Sequence, residues 1–471
     1  MRVYKEFFYK IVRVRQDLKS LKSLGDFTEY LSSSFFTKIS LCILLAWVIS
    51  PIWIIINSSL LSNKFKNLSS FMKRVEIDII WYVFLQQLGY IAFIIFIFVI
   101  IKNYNDLKIH KFNYKNLIKI NQVEILLIFM LVWSIISTLV SSDMNLSFTG
   151  TSYRHDGLNT YITYAGFFTC GYYINTKSSI KKIISIFVLS STIVAGLVLL
   201  DINYLNNIFS FNTNSAIFYN INHYGYYLCM AVISSVFLVL TNKSNKKNKH
   251  KYLLCYVLLV AVLVKNNSFG PYLATLVGLS VQLVIIYYNF RDYFKDMSLI
   301  FILFLVISLV INMFSSFLIV EVLKLFGDVQ EIVTNDNLSE QAGSGRWILW
   351  KNGIKYMLEK PIFGYGPDNL GYRYAMDKIQ QDRPHNEFIQ IAASLGIPAL
   401  FFYITALYKH FRLVTKNIKH FDIELISLNL VVATYLFSSF FGNTMFYTSP
   451  YYFIFLGMAV SNTKLVINCF R

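Results

Sequence analysis

An arginine, a histidine and an asparagine stand together at the start of an apolar run, in the segment RPHNEFIQIAASLGIPAL. They are Arg383, His385 and Asn386. An unperturbed imidazole has a pKa of about 6.5 and can take a proton from a hydroxyl group, while a guanidinium can hold a phosphate through two hydrogen bonds. One interpretation of the segment is proton transfer, with His385 as the base. The alternative, in which His385 and Asn386 only cap or orient the next helix, stays open.

A second candidate segment, GSGRWILWKNGIKYMLEKPIFGYG, precedes this cluster in the chain. Its spacing predicts a short amphipathic helix that begins near Arg346 and ends at Pro361. Trp347 and Trp350 fall on its apolar face, which can lie at the level of the lipid headgroups or on the helix bundle. Arg346 in the first turn is therefore either an anion ligand or a snorkelling residue of a cover helix.

Composition indicates which elements must position these residues. Of 471 residues, 56% are hydrophobic and 14% are charged, whereas soluble proteins carry about 25% charged residues. We predict an all-α fold, a polytopic transmembrane helix bundle of about 12 spanning helices. The candidate spans are near 39–57, 79–101, 123–141, 159–175, 182–200, 223–240, 252–270, 271–289, 298–320, 387–407, 423–441 and 445–464.

The positive charge is distributed as it is in membrane proteins. The net charge is +18, but Lys and Arg cluster in alternate loops between apolar runs, which is typical of cytoplasmic loops rather than of nucleic-acid binding. Both termini are predicted to be cytoplasmic, although the outer loop 58–74 is basic. The five cysteines show neither metal-site nor disulfide spacing, and we predict no metal.

The predicted organisation has four parts. Residues 1–34 form a basic cytoplasmic N-terminal segment, and residues 35–320 contain transmembrane helices 1–9. Residues 321–386 form a long extracytoplasmic loop, which is the predicted catalytic loop. Residues 387–471 contain transmembrane helices 10–12 and a short cytoplasmic tail.

Taken together, GRWILW, KPIFGYGPDNL and RPHNEFIQIAASLGIPAL resemble the signature of the O-antigen ligase and polysaccharide polymerase family. Two further stretches, SYRHDGLNTYITY (152–164) and FYNINHYGYYL (218–228), resemble looser features of the same family. The residues that carry the main resemblance are Arg346, Trp347, Pro361, Gly364, Gly366, His385, Asn386, Gly396 and Ile397.

The resemblance implies a multi-pass bacterial enzyme of the cytoplasmic (inner) membrane with an extracytoplasmic active site. It implies transfer of a glycan from an undecaprenyl-pyrophosphate carrier to a sugar hydroxyl, by an inverting step that needs no metal or cofactor. The acceptor is then a glycan or a wall polymer, and a flippase and a chain-length regulator are candidate partners. The implied catalytic residues are His385 and Arg346. The implied ligands of pyrophosphate or sugar are Arg154, Arg383, Asn386, Lys265 and Trp347.

One position departs from the family pattern. Where ligases often carry an arginine in a short outer turn between two middle helices, the stretch NNSFGPYLA has Phe269. We expect Lys265 or Arg154 to replace the missing charge, and both a ligase and a polymerase remain open. A polytopic transporter or a flippase for lipid-linked oligosaccharide is the alternative from another class. A glycosyltransferase that relies on a carboxylate, for which Asp368 is the candidate, is the alternative enzyme.

Overall fold

The computed structural model of this chain is all-helical, with 17 α-helices and no β-strand in the part of the chain that the structure describes. Most of the predicted segment 1–34 lies outside the described residues, as does part of the predicted loop 58–74. The described residues are 26, 33–60, 70–109, 122–152, 154–200, 215–218, 220–335, 343 and 345–470.

The α-helices in chain order are α1 (Ser33–Leu60), α2 (Ser70–Ile109), α3 (Gln122–Val140), α4 (Met144–Thr149), α5 (Leu158–Tyr172), α6 (Lys177–Leu199), α7 (Ile221–Thr241), α8 (Lys246–Lys265), α9 (Phe269–Asn289), α10 (Arg291–Ser315), α11 (Phe317–Asn335), α12 (Arg346–Glu359), α13 (Leu370–Met376), α14 (Glu387–Leu395), α15 (Ile397–Asn417), α16 (Ile423–Ser439) and α17 (Ser449–Cys469). The predicted loop 321–386 therefore contains the end of α11 and all of α12 and α13.

Within the described residues, eight helices are long and apolar enough to cross a membrane: α1, α2, α3, α6, α7, α9, α10 and α17. The prediction of a polytopic all-α bundle is confirmed, but the count of 12 spans is not. The shortfall has physical reasons, because α5 has only 15 residues, α16 has only 17, and α8 opens with a lysine-rich turn.

The predicted span 387–407 is wrong as a single helix. The helix α14 ends at Leu395, and α15 begins at Ile397. Between them Gly396 has φ +94°, which a helix does not tolerate. The break was hidden in the sequence because both sides of it are apolar.

The centre of the bundle is α7. Every residue from His223 to Leu240 in this helix is buried, as expected for a helix that is apolar on all sides. The helix packs against α6, α8, α9 and α16, while α5 packs between α2 and α17. The start of α7 lies close to the end of α8 and to the end of α16 at one side of the bundle.

The segment with the PIFGYG sequence begins with a turn and then lies along the end of α14 as a short strap. The backbone N–H of Tyr365 donates to the carbonyl of Ala393 at 3.0 Å, and that of Gly366 donates to the carbonyl of Ser394 at 2.8 Å. The hydroxyl of Ser137 on α3 also donates to the Ser394 carbonyl, at 3.1 Å. The strap therefore fixes α14 to the membrane helix α3.

Two glycines make this close approach possible. Gly364 has φ +66° and Gly396 has φ +94°, which is the region that favours glycine. A Cβ on Gly396 would overlap the carbonyl oxygen of Ile362, and one on Gly364 would overlap the backbone of Ser394. The glycines of the two quoted motifs thus form one packing unit that sets where α15 begins.

We expect Gly396→Ala to lower the free energy of unfolding by about 1–3 kcal/mol or more, because the new Cβ meets backbone atoms at a positive φ. Gly196→Ala on α6 is the matched control, since nothing lies within 4 Å of a Cβ there. A thiol-reactive dye that reports exposure of the buried Cys170 and Cys229 measures the unfolding midpoint in detergent. Equal midpoints for the two variants would contradict the packing unit.

Candidate functional site

His385 lies in the α13–α14 loop (residues 377–386), and its Nδ1 is 3.1 Å from Nδ2 of Asn443. Its φ is +51°. Burial is the main factor that lowers the pKa of His385 to about 4. The charges of Arg154 and Arg346 act in the same direction, and the charge of Asp382 opposes them. The imidazole is therefore neutral at pH 7 and can accept a proton.

Arg346 is the first residue of α12, as predicted. Its guanidinium carbon is 5.9 Å from the centre of the Phe441 ring, and no described carboxylate pairs with it. Phe441 and Asn443 both belong to the α16–α17 loop (residues 440–448). The structure thus brings Arg346 and His385 to the same loop, whereas Trp347 is 41% exposed.

Arg383 is buried among carboxylates. Its side chain is 2% exposed, and Nη1 donates to Oδ2 of Asp156 at 2.9 Å. Nη2 donates to Oδ1 of Asp368, and Nε is 3.6 Å from Oδ2 of Asp382. Arg383, predicted as a pyrophosphate ligand, is therefore already neutralised by carboxylates of the protein.

Arg154 is also committed to a carboxylate. Its Nε and Nη2 donate to the two oxygens of Asp382 at 2.8 and 2.7 Å, which is the bidentate geometry that guanidinium groups favour. Burial raises the pKa of Asp382, but the charges of Arg383 and Arg154 outweigh it and hold the pKa at about 2. The ion pair joins the α4–α5 loop (residues 150–152 and 154–157) to the α13–α14 loop.

Asp156 connects three elements beneath these arginines. Its Oδ2 accepts hydrogen bonds from Arg383 and, at 2.8 Å each, from Nε2 of Gln390 on α14 and the hydroxyl of Thr444. Burial raises the pKa of Asp156 to about 7, although the charge of Arg383 lowers it. Sequence reasoning left Asp156 without a role, because a single acid in a loop gives no sign of such burial.

Asn386 caps α14. Its Oδ1 accepts hydrogen bonds from the backbone N–H groups of Phe388 at 3.0 Å and Ile389 at 3.1 Å, which satisfies two of the free donors at the helix start. The cap fixes the residue that follows His385 in the chain. Sequence reasoning left both a cap and a ligand open for Asn386, and these contacts favour the cap.

Lys265 ends α8, at the turn where the family arginine was expected. The start of α9, which follows this turn, lies against the α16–α17 loop, because a Cβ on Gly270 would be 2.9 Å from Cβ of Phe441. Ser268 in the turn donates a hydrogen bond to Oδ1 of Asn222 at 2.7 Å, which joins it to α7. Lys265 is half-buried, and among the residues described here no carboxylate pairs with it.

A separate cavity of roughly 440 Å³ opens between α2, α3 and α5. Its walls are mainly apolar, and Glu124, which pairs with Lys464, lies at its edge. No predicted site residue lines it, although Tyr161 belongs both to its wall and to the surroundings of Asp156. The cavity therefore adjoins the surroundings of Asp156 through Tyr161, while the predicted site residues lie outside its lining.

Comparison with known proteins supports the resemblance. Residues 254–404 match a family model described as O-antigen ligase. A Rickettsia conorii protein named as a candidate polysaccharide ligase is 25% identical over 204 residues, which are 41% of this chain and 46% of that protein. The chain thus spans about half the length of this relative. The family match includes Lys265, Arg346 and His385, whereas Arg154 and Asn443 lie outside it.

We expect Arg383→Met to lower the free energy of unfolding by about 3–5 kcal/mol, because it leaves buried carboxylates without their partner. Lys177→Met is the matched control, since Lys177 and Asp422 form an ion pair with side chains 71% and 43% exposed. Thermal unfolding in detergent compares the two variants. A stable Arg383→Met protein that has lost only donor binding would instead indicate a direct pyrophosphate contact.

Proposed function

We propose that this protein transfers or polymerises a lipid-linked glycan at the outer face of the cytoplasmic membrane. The donor is an oligosaccharide on undecaprenyl pyrophosphate, and the acceptor is a hydroxyl of a glycan or wall polymer. One observation carries the proposal: the neutral imidazole of His385 and the guanidinium of Arg346, which no described carboxylate pairs with, border the same α16–α17 loop. The similarity to O-antigen ligases supports it.

The proposed reaction is a single displacement. The outer face offers no nucleotide, so the sugar must arrive activated, and a pyrophosphate leaving group meets that need. As the acceptor oxygen bonds to the anomeric carbon, its proton passes to Nε2 of His385. The bond from that carbon to the pyrophosphate oxygen breaks, and its electron pair leaves with the lipid pyrophosphate. Attack opposite the leaving group inverts the anomeric centre.

The cations that neutralise the leaving group are proposed to be Arg346 and Lys265. Arg346 lies next to the α16–α17 loop, and Lys265 ends the helix before the turn that leads to Gly270, which packs against Phe441 of that loop; neither cation has a carboxylate partner among the described residues. Fixed positive charge at the departing oxygen stabilises the transition state. Arg154 and Arg383 would have to leave their ion pairs to do the same, so we assign them to holding the loops together.

The base is proposed to be His385 rather than Asp368. Both oxygens of Asp368 are occupied: Oδ1 accepts from Arg383, and Oδ2 accepts from the backbone N–H of Thr151 at 2.6 Å and from its hydroxyl at 2.9 Å. Both carboxylate oxygens are therefore engaged by groups of the protein. His385, by contrast, keeps one ring nitrogen without a partner within the described residues.

Surface glycan in a strain that lacks this protein identifies the step. Single repeats that accumulate would support a polymerase, and full-length chains that remain on the lipid carrier would support a ligase. A precursor trapped at the inner leaflet would indicate a flippase and would contradict the proposal. Gel electrophoresis of extracted glycan distinguishes the three outcomes.

We expect His385→Ala and Arg346→Ala each to reduce transfer at least about 100-fold, because they remove the base and the charge at the leaving group. The matched controls are His420→Ala and Lys351→Ala, whose side chains are exposed. Each variant is returned to the deletion strain, and membrane insertion is checked by fractionation. Normal glycan chains with either site variant would refute the assigned roles.

The pH profile of transfer tests the state of His385. Because its folded-state pKa is lowered to about 4, the base form persists as pH falls, and kcat/KM should decline with a midpoint near pH 4. An ordinary imidazole would give a midpoint of about 6.5. The assay uses purified protein with lipid-linked glycan extracted from the deletion strain, and the unfolding midpoint at each pH separates inactivation from unfolding.

A further inference from the structure

Asn443 is the side chain that contacts the His385 ring by hydrogen bond within the described part of the chain. Its amide nitrogen lies 3.1 Å from Nδ1 of the ring, and the residue is 2% exposed. Its other amide atom, Oδ1, is buried with no described partner. Nothing in the sequence around it, FFGNTMFY, singles it out, and it lies beyond the family match at 254–404.

The backbone on both sides of this contact is held firmly. In the α16–α17 loop, the carbonyl of Phe441 accepts from the hydroxyl of Tyr226 at 2.8 Å, and the hydroxyl of Thr444 donates to Asp156 at 2.8 Å. His385 follows the buried Arg383 and precedes the α14 cap. The amide and the ring therefore meet through fixed backbones rather than through a chance surface contact.

The proton on a neutral imidazole can sit on only one ring nitrogen, and the partner of Nδ1 decides which. If the amide N–H donates to Nδ1, the proton is on Nε2, and the ring has no lone pair left to act as a base. If the amide oxygen accepts from Nδ1–H, the lone pair is on Nε2. A half-turn of the terminal amide exchanges these arrangements, because its oxygen and nitrogen occupy similar space.

We propose that Asn443 is the positioning residue of His385, its Oδ1 accepting a hydrogen bond from Nδ1–H so that Nε2 faces the acceptor hydroxyl as a base. The inference rests on the proposed function, since only base catalysis requires this tautomer. The contact sets the plane of the ring as well as its proton. The group Asn443 supplies is neutral, so it orients the ring without adding a charge beside it.

The charged groups around the ring explain why a neutral partner is suited to this place. Arg154, Arg346 and Arg383 disfavour the protonated ring, and Asp382 favours it. A carboxylate in place of the amide would add negative charge at Nδ1 and raise the pKa of the ring. An imidazole with a raised pKa would be partly protonated at neutral pH, whereas beside the amide it stays unprotonated.

Two variants of Asn443 separate orientation from packing. Asn443→Leu keeps a similar volume but removes the hydrogen bond, and we expect kcat to fall about 100-fold with little change in KM. Asn443→Asp keeps an acceptor of the same shape, so activity should return to within about 10-fold of the wild type at alkaline pH. The midpoint on the acid side of the pH–activity profile of Asn443→Asp should lie about 1–3 pH units above that of the wild type.

Ring-nitrogen NMR of 15N-histidine-labelled protein gives a second measurement that does not depend on activity. The signal of His385 is assigned by its loss in His385→Gln, and we expect the Nδ1–H tautomer in the wild type. The Nε2–H tautomer, or an Asn443→Leu protein with wild-type kcat and pH profile, would overturn the inference. If instead His385→Ala retained transfer, the proposed function itself would fail, so the two failures are distinguishable.

Discussion

A guanidinium that is buried away from water must be matched by carboxylates, and Arg383 imposes this requirement on all the loops around it. Its partners Asp156 and Asp368 lie in different loops, so those loops must meet for the charge to be buried at all. Asp156 then reaches α14 through Gln390 and the α16–α17 loop through Thr444. Breaking such a set leaves several buried groups unpaired, so the loops are held as one unit.

This arrangement divides the basic residues into two kinds. Arg154 and Arg383 are paired with carboxylates and hold the loops together, whereas within the described part of the chain no carboxylate pairs with Arg346 or Lys265. An anionic substrate is attracted only by charge that the protein has not already neutralised. Arg154 is therefore not equivalent to the arginine that the family pattern has at the position of Phe269, because the charge of Arg154 is already paired with Asp382.

Local patterns predicted part of this structure well. The start of α12 at Arg346 and its end before Pro361 follow from helical spacing and from proline chemistry. The contacts of Arg383 and Asn443 did not follow, because the partners Asp156 and His385 are 227 and 58 residues away and neither pair has a local signature. The break at Gly396 was missed for the opposite reason, since the apolar run around it satisfied the rule for a span.

The outward side of α12 has a further consequence. Trp347, Ile354 and Leu358 are all exposed there, while the opposite side of the helix is anchored through the buried Leu349 and Tyr356. In a bilayer, lipid contact with this exposed apolar side would set the depth of the helix, and with it the depth of Arg346. On the proposed function, this depth would select lipid carriers by the level at which their phosphates lie in the bilayer.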